Sequence, residues 1–407
     1  MDTLASPSMH GRGYVNKGDS IAGDYIKKEF EKFGLKPIGN EFYQRFHFPV
    51  NTFPGEISIE WREQISSGKN IAHPSPLPPK TFKGIPGQNY LVSSQSKSIK
   101  KYFKAILIDS SSLLLFPLMK IRKSDFLIIN ERGINGKNEL DYLKKIKSKF
   151  YKRKIVIEVV KKLTWESSQK ASYPIIFQVL EDSIYRPLRI SGNIKIQNKF
   201  IPNYQSKNIL GYIKGTQYPD SFIVFSAHYD HLGQMGKDVY FPGANDNASG
   251  CAMLLNLAKY YSRHPPKYSV AFMAFGGEEV GLLGSKYYVE HPLFPLKQIK
   301  FLVNMDIMGT GDEGIKVVNA TEHKKEFDEL VKINSEKNLL PSVQPRGKTQ
   351  NSDHYFFSEA GVKTFFIYTL GGIKAYHDIY DRSETLPLTK FEEVFILLTE
   401  FTEQLQK

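Results

Sequence analysis

A chain of 407 residues with 41% hydrophobic and 13% aromatic content has ample material for a large core, and no apolar run approaches the ~18 residues of a membrane-spanning helix. A single cysteine, Cys251, excludes an intrachain disulfide and a cysteine-based zinc site. The net charge of +13 is concentrated between Lys97 and Lys162, where 18 Lys or Arg stand against 6 Asp or Glu. Its densest part, "KKIKSKFYKRK" (144–154), reads as a solvated face or as a contact to an anionic surface. No nucleic-acid motif accompanies it.

The opening "MDTLASPSMHGRGYVNKGDS" has neither the basic leader nor the apolar segment of a signal peptide. Residues 20–37 carry helical periodicity through Ile21, Tyr25, Ile26, Phe30 and Phe33, ending at Gly34 and Pro37. Residues 50–95, rich in Pro, Gly and Ser, predict loops and short strands. The runs "AILIDS", "FLIIN", "KIVIEVV" and "YPIIFQVL" within 103–200 predict strands of a distinct β-rich module. From about Asn203 the rhythm becomes strand, loop, helix. The strands are "SKNILGYIKGT", "SFIVFSA", "SVAFMAF", "KFLVNMD" and "KTFFIYT". Near-continuous apolar strands are those of a mostly parallel sheet buried on both faces, so this part predicts an α/β layer covered by helices.

The ionisable residues fall at the carboxyl ends of these strands, where open α/β sheets bind their ligands. His228 and Asp230 end one strand, Glu278 and Glu279 follow another, and Asp306 closes a third. Asp246 lies in a turn-rich loop, where Asn247 or Ser249 can cap the next helix, and His377 lies beyond the last strand. Each has an ordinary explanation alone: a buried histidine, a turn cap, or glutamates in the first turn of a helix. Together they do not. Two adjacent carboxylates repel and resist burial unless a cation shares their charge. Two imidazoles with carboxylates and no thiols suit Zn2+ or a similar divalent ion in a catalytic role, and their dispersed spacing excludes HExxH on one helix.

The ordered motifs "AHYDHLG", "PGANDNASG", "FGGEEVGLLGS", "VNMDIMG" and "AYHDIYD" resemble those of the metallo-aminopeptidases with two co-catalytic zinc ions. That group includes glutamate carboxypeptidase-like enzymes and glutaminyl cyclases. The resemblance implies a mostly parallel mixed sheet sandwiched by helices, formed by 1–55 and 203–407. It also implies an inserted, β-rich, protease-associated-like lid at 56–202. Two Zn2+ per chain are implied: His228 and Asp306 complete one site, Glu279 and His377 the other, and Asp246 bridges both. Glu278 is then the general base, Asp230 orients the His228 imidazole, and Tyr376 stabilises the tetrahedral intermediate. The Asp246–Asn247 peptide bond is expected to be cis. The implied activity is removal of N-terminal residues from peptide substrates, in an extracytoplasmic location. A glutaminyl cyclase-like aminoacyl transfer and a non-catalytic peptide-binding relative are the alternatives. The stretch "SDHYFFSEAG" offers Tyr355, Phe356 and Phe357 as a pocket wall for an apolar side chain, or as a core stripe.

Overall fold

Four strands, Tyr218–His228, Tyr268–Phe275, Ile299–Met305 and Thr364–Leu370, form the parallel centre of a nine-stranded mixed sheet. Their side chains alternate between two cores, as the two-residue repeat of a strand requires. Ile223, Phe225, Phe272, Val303 and Phe365 face one, together with Ile26, Phe30, Leu254, Leu257 and Phe401 from helices Gly18–Lys32, Gly250–Arg263 and Phe391–Leu405. Phe222, Val224, Met273 and Phe275 face the other, with Tyr288 and Phe357 from helices Leu283–Glu290 and His354–Glu359. Helices therefore cover both faces of the sheet. Antiparallel strands flank the parallel centre: Lys199–Ile213 pairs with Tyr268–Phe275, and Gly314–Val318 with Thr364–Leu370.

This computed structural model describes residues 1–63, 81–114, 116, 126–151, 155–172, 176–183, 189–237 and 239–407. It divides into two compact units, one of Met1–Phe48, Asn203–Gly233 and Tyr240–Lys407, the other of Pro49–Pro202 and Gln234–Val239. Among the described residues no helix is long and apolar enough to cross a membrane.

The second unit carries an eight-stranded sheet whose strands Ile99–Ile108, Phe126–Asn130, Val156–Val160 and Ile176–Leu180 run parallel in that order. The sequence predicts only strands here, yet Lys137–Phe150 is a helix that buries Leu143 and Ile146 against Leu127, Ile129 and Val156. Five lysines in 14 residues obscure its three-residue apolar spacing. The basic run 144–154 thus starts on this helix, and its last three residues lie outside the described ones.

Candidate metal centre

The parallel strands deliver their carboxyl ends to one side of the sheet, and the predicted residues meet there. His228 Nε2 lies 3.3 Å from Asp246 Oδ1 and 3.3 Å from Asp306 Oδ1. His377 Nε2 lies 3.1 Å from Asp246 Oδ2 and 3.3 Å from Glu279 Oε2. The two oxygens of Asp246 therefore face two different imidazoles. His228, Asp246 and Glu279 each place a ligand atom within 4.8 Å of the others, and so do His228, Glu278 and Asp306. Geometry alone counts Glu278 among the donors.

The tautomer of His228 shows what this arrangement fits. Its Nδ1 is 3.1 Å from the Asp230 carbonyl oxygen, an acceptor, so Nδ1 carries the proton and Nε2 presents a lone pair. That lone pair faces two carboxylate oxygens, and Asp306 Oδ1 is buried with no hydrogen-bond partner. Electron-pair donors converging without hydrogens between them require a cation, and an N/O set of this composition suits Zn2+. Without one, a proton takes the place. Burial disfavours the imidazolium of His228, but the carboxylates of Glu278 and Asp306 outweigh it and raise its pKa well above the ordinary value. Burial likewise opposes ionisation of Asp246, yet its bonds to His228 and His377 hold its carboxyl well below the usual range. Glu278 goes the other way: burial first, then Glu279 and Asp353, push its pKa well above normal against the pull of His228.

Local structure explains how adjacent glutamates reach the site. They do not start a helix, since Leu283–Glu290 begins four residues after Glu279. They sit in the loop opened by Gly276 and Gly277. Gly277 has φ 70°, and a Cβ at Gly276 would come within 2.9 Å of the Lys207 carbonyl oxygen. Asp230 fixes this loop. Its carboxylate accepts the backbone N–H of Glu278 at 3.1 Å and of Glu279 at 3.3 Å, and the Tyr14 hydroxyl at 2.8 Å. It stands 4.0 Å from His228 Nδ1, so the imidazole is oriented by the Asp230 carbonyl rather than by its carboxylate.

The Asp246 loop is held from three sides. The Asp246–Asn247 peptide bond is cis. Asn247 Oδ1 accepts the Gly250 N–H at 2.9 Å, capping the helix, while Ser249 Oγ turns back to accept Met308 N–H at 2.8 Å beyond Asp306. Asp381, not singled out in the sequence, accepts the N–H groups of Asn245 and Asp246 at 2.8 and 3.0 Å. Arg12, equally unforeseen, is fully buried and spends all five N–H donors on the carbonyls of Leu4, Tyr229, Pro242, Gly243 and Asp246. Asp306 is steadied by a buried relay in which Ser226 bonds Asn304, Asn304 bonds Ser352, and Ser352 Oγ donates to Asp306 Oδ2 at 3.1 Å.

Two further residues are placed by the structure. Tyr376 stacks on the His377 ring, centroids 4.0 Å apart at 12°. Partial desolvation, then the carboxylates of Asp246 and Glu279, raise its phenol pKa, so it stays a proton donor. Phe357 is fully buried against Phe275 and Tyr288, which assigns it to the core and leaves Tyr355 and Phe356 as the half-buried aromatics of that helix.

Residues 208–402 match the profile of Peptidase family M28. This segment belongs to peptidase family M28. The chain is 32% identical over 204 residues to aminopeptidase YwaD of Bacillus subtilis (strain 168), covering 48% of this chain and 42% of that protein. It is 35% identical over 113 residues to a probable zinc metalloprotease of Pyrenophora teres f. teres, covering 27% of this chain and 23% of that protein. The chain thus spans less than half the length of these relatives. In fold it is similar to BSAP, a zinc aminopeptidase from Bacillus subtilis, with TM-score 0.65 at 20% identity over 95% of this chain and 89% of that one. A peptidase M28 precursor from Shewanella amazonensis aligns with TM-score 0.67 at 14% identity, over 96% and 88% of the two chains.

Proposed function

We propose that the chain is a zinc metallo-aminopeptidase that uses two ions and a glutamate base. The observation that carries this reading is the division of Asp246, one carboxylate oxygen toward His228 and the other toward His377. A single ion has no use for that division. His228 and Asp306 would hold one ion, Glu279 and His377 the other, with Asp246 shared. When bound, such ions acidify water and polarise a peptide carbonyl as Lewis acids.

The remaining steps belong to the chain's own residues. Glu278 is half-buried, and desolvation together with the acids around it raises its affinity for a proton. It takes one from the attacking water and returns it to the leaving amine. Asp230 holds the backbone on which Glu278 and Glu279 sit, so the base and its neighbour keep their spacing as the proton moves. The Tyr376 hydroxyl donates to the oxyanion that forms on the scissile carbonyl. The acidic surroundings favour the positively charged α-amino group of a peptide N-terminus, which makes the action exopeptidic. Comparison of an aminoacyl-p-nitroanilide with its N-acetylated form tests this reading. Hydrolysis of the free amine alone is expected, whereas equal rates, or none with either, would contradict it.

A further inference from the structure

His231 is three residues from His228 and belongs to no proposed ligand set, yet its Nδ1 lies 2.6 Å from Glu279 Oε1. We propose that His231 is a positioning residue that makes Glu279 a one-oxygen ligand and so sets the metal affinity of the Glu279–His377 site. The inference rests on the two-metal reading above. An ionised carboxylate only accepts, so His231 donates from Nδ1, and Oε1 is thereby committed. Glu279 Oε2, 3.3 Å from His377 Nε2, is the atom left to face the site.

The donor itself cannot shift. Its ring is fully buried, and its backbone N–H donates to the Arg12 carbonyl at 3.1 Å. Gly243, at φ 58°, packs against it, and a Cβ there would come within 2.4 Å of His231 Cδ2. The His377 ring stands edge-on with centroids 5.9 Å apart. Without the His231 bond, Glu279 Oε1 would be a buried acceptor with no donor, and the carboxylate would rotate. The His228–Asp306 pair depends instead on the Asp230 carbonyl and Ser352, so loss of His231 should touch one site and spare the other.

The test is a titration of metal-free protein with Zn2+ against a chromophoric chelator, for wild type, His231→Leu, His231→Asn and His231→Gln. Wild type should bind two ions. Loss of an outer partner of a metal ligand weakens binding about 10–100-fold, and His231→Leu should show that loss in one step only. An Asn amide nitrogen reaches the position of Nδ1, whereas that of Gln does not. His231→Asn should therefore recover most of the affinity and His231→Gln should not, a contrast that stands even if His231→Leu fails to fold. Two unchanged steps in His231→Leu or His231→Gln, or equal weakening of both steps, would overturn the role of His231. A wild-type protein holding fewer than two ions would overturn the functional reading itself, and this inference with it.

Discussion

The two units of the chain put charge to opposite uses. The M28-bearing unit buries Arg12, Asp19, Asp230, Asp246, Asp306, Asp353, Asp378 and Asp381. Among the described residues of the other unit no Asp, Glu, Lys or Arg is buried, and its buried polar groups are Asn51, Thr52, Ser94, Ser96, Ser112 and Ser168. Two of its ion pairs, Lys144–Asp141 and Arg132–Glu181, involve exposed lysine or arginine side chains, and the lysines of others, Lys147 and Lys195, are only partly buried. A buried charge costs several kcal/mol unless every group on it is paired, whereas an exposed pair contributes little. The larger share of the formal charge therefore says least about function, and the smaller, buried share says most.

The comparison is sharpest at Glu278. Glu278→Gln should lower kcat about 10²–10⁴-fold while leaving metal content intact, and a near-normal rate would break the assignment. Asp246→Ala should weaken both zinc sites together, each by more than the ~10–100-fold of an outer partner, as read by the same chelator competition. Weakening of one site alone would mean that Asp246 does not bridge. Arg12→Met strands five carbonyls and should cost about 3–5 kcal/mol in urea unfolding; a loss below about 1 kcal/mol would show that the buried cation is not needed.

Asp19 gives the pH dependence. Burial raises its carboxyl from 3.8 to about 7, against the donors Tyr204 and Ser206. The unfolded chain releases this proton near pH 4 while the folded chain keeps it. Its contribution is therefore whole below about pH 4 and is lost as the pH rises to about 7, amounting to at most about 4 kcal/mol. The difference in stability between wild type and Asp19→Asn should follow that slope; a flat difference would contradict it. The smallest effect belongs to the other unit. Replacing Lys144, Lys145 and Lys149 together by Gln should move stability by only about 0.5 kcal/mol, although it removes three charges.

The parallel centre of the sheet was legible because strands buried on both faces need nearly continuous apolar sequence, as in "FIVFSA" and "VAFMAF". The residues at their ends were legible only as a set, because each alone has an ordinary explanation and a shared cation accounts for all of them. The supports were not. Nothing local marks Arg12 for burial, since its five acceptors are main-chain carbonyls, four of them over 200 residues away. Asp381 acts on backbone N–H groups more than 130 residues distant. His231 had a signal, its place within "AHYDHLG", but spacing alone does not say that it meets Glu279 rather than the neighbouring strand. The helix Lys137–Phe150 was hidden by its own lysines.

Metal stoichiometry tests the central claim most directly. Mass-spectrometric zinc analysis of the purified chain, loaded and then dialysed, should return two ions per chain for wild type and a clear loss of both for Asp246→Ala. One tight ion or none in the wild type would contradict the account.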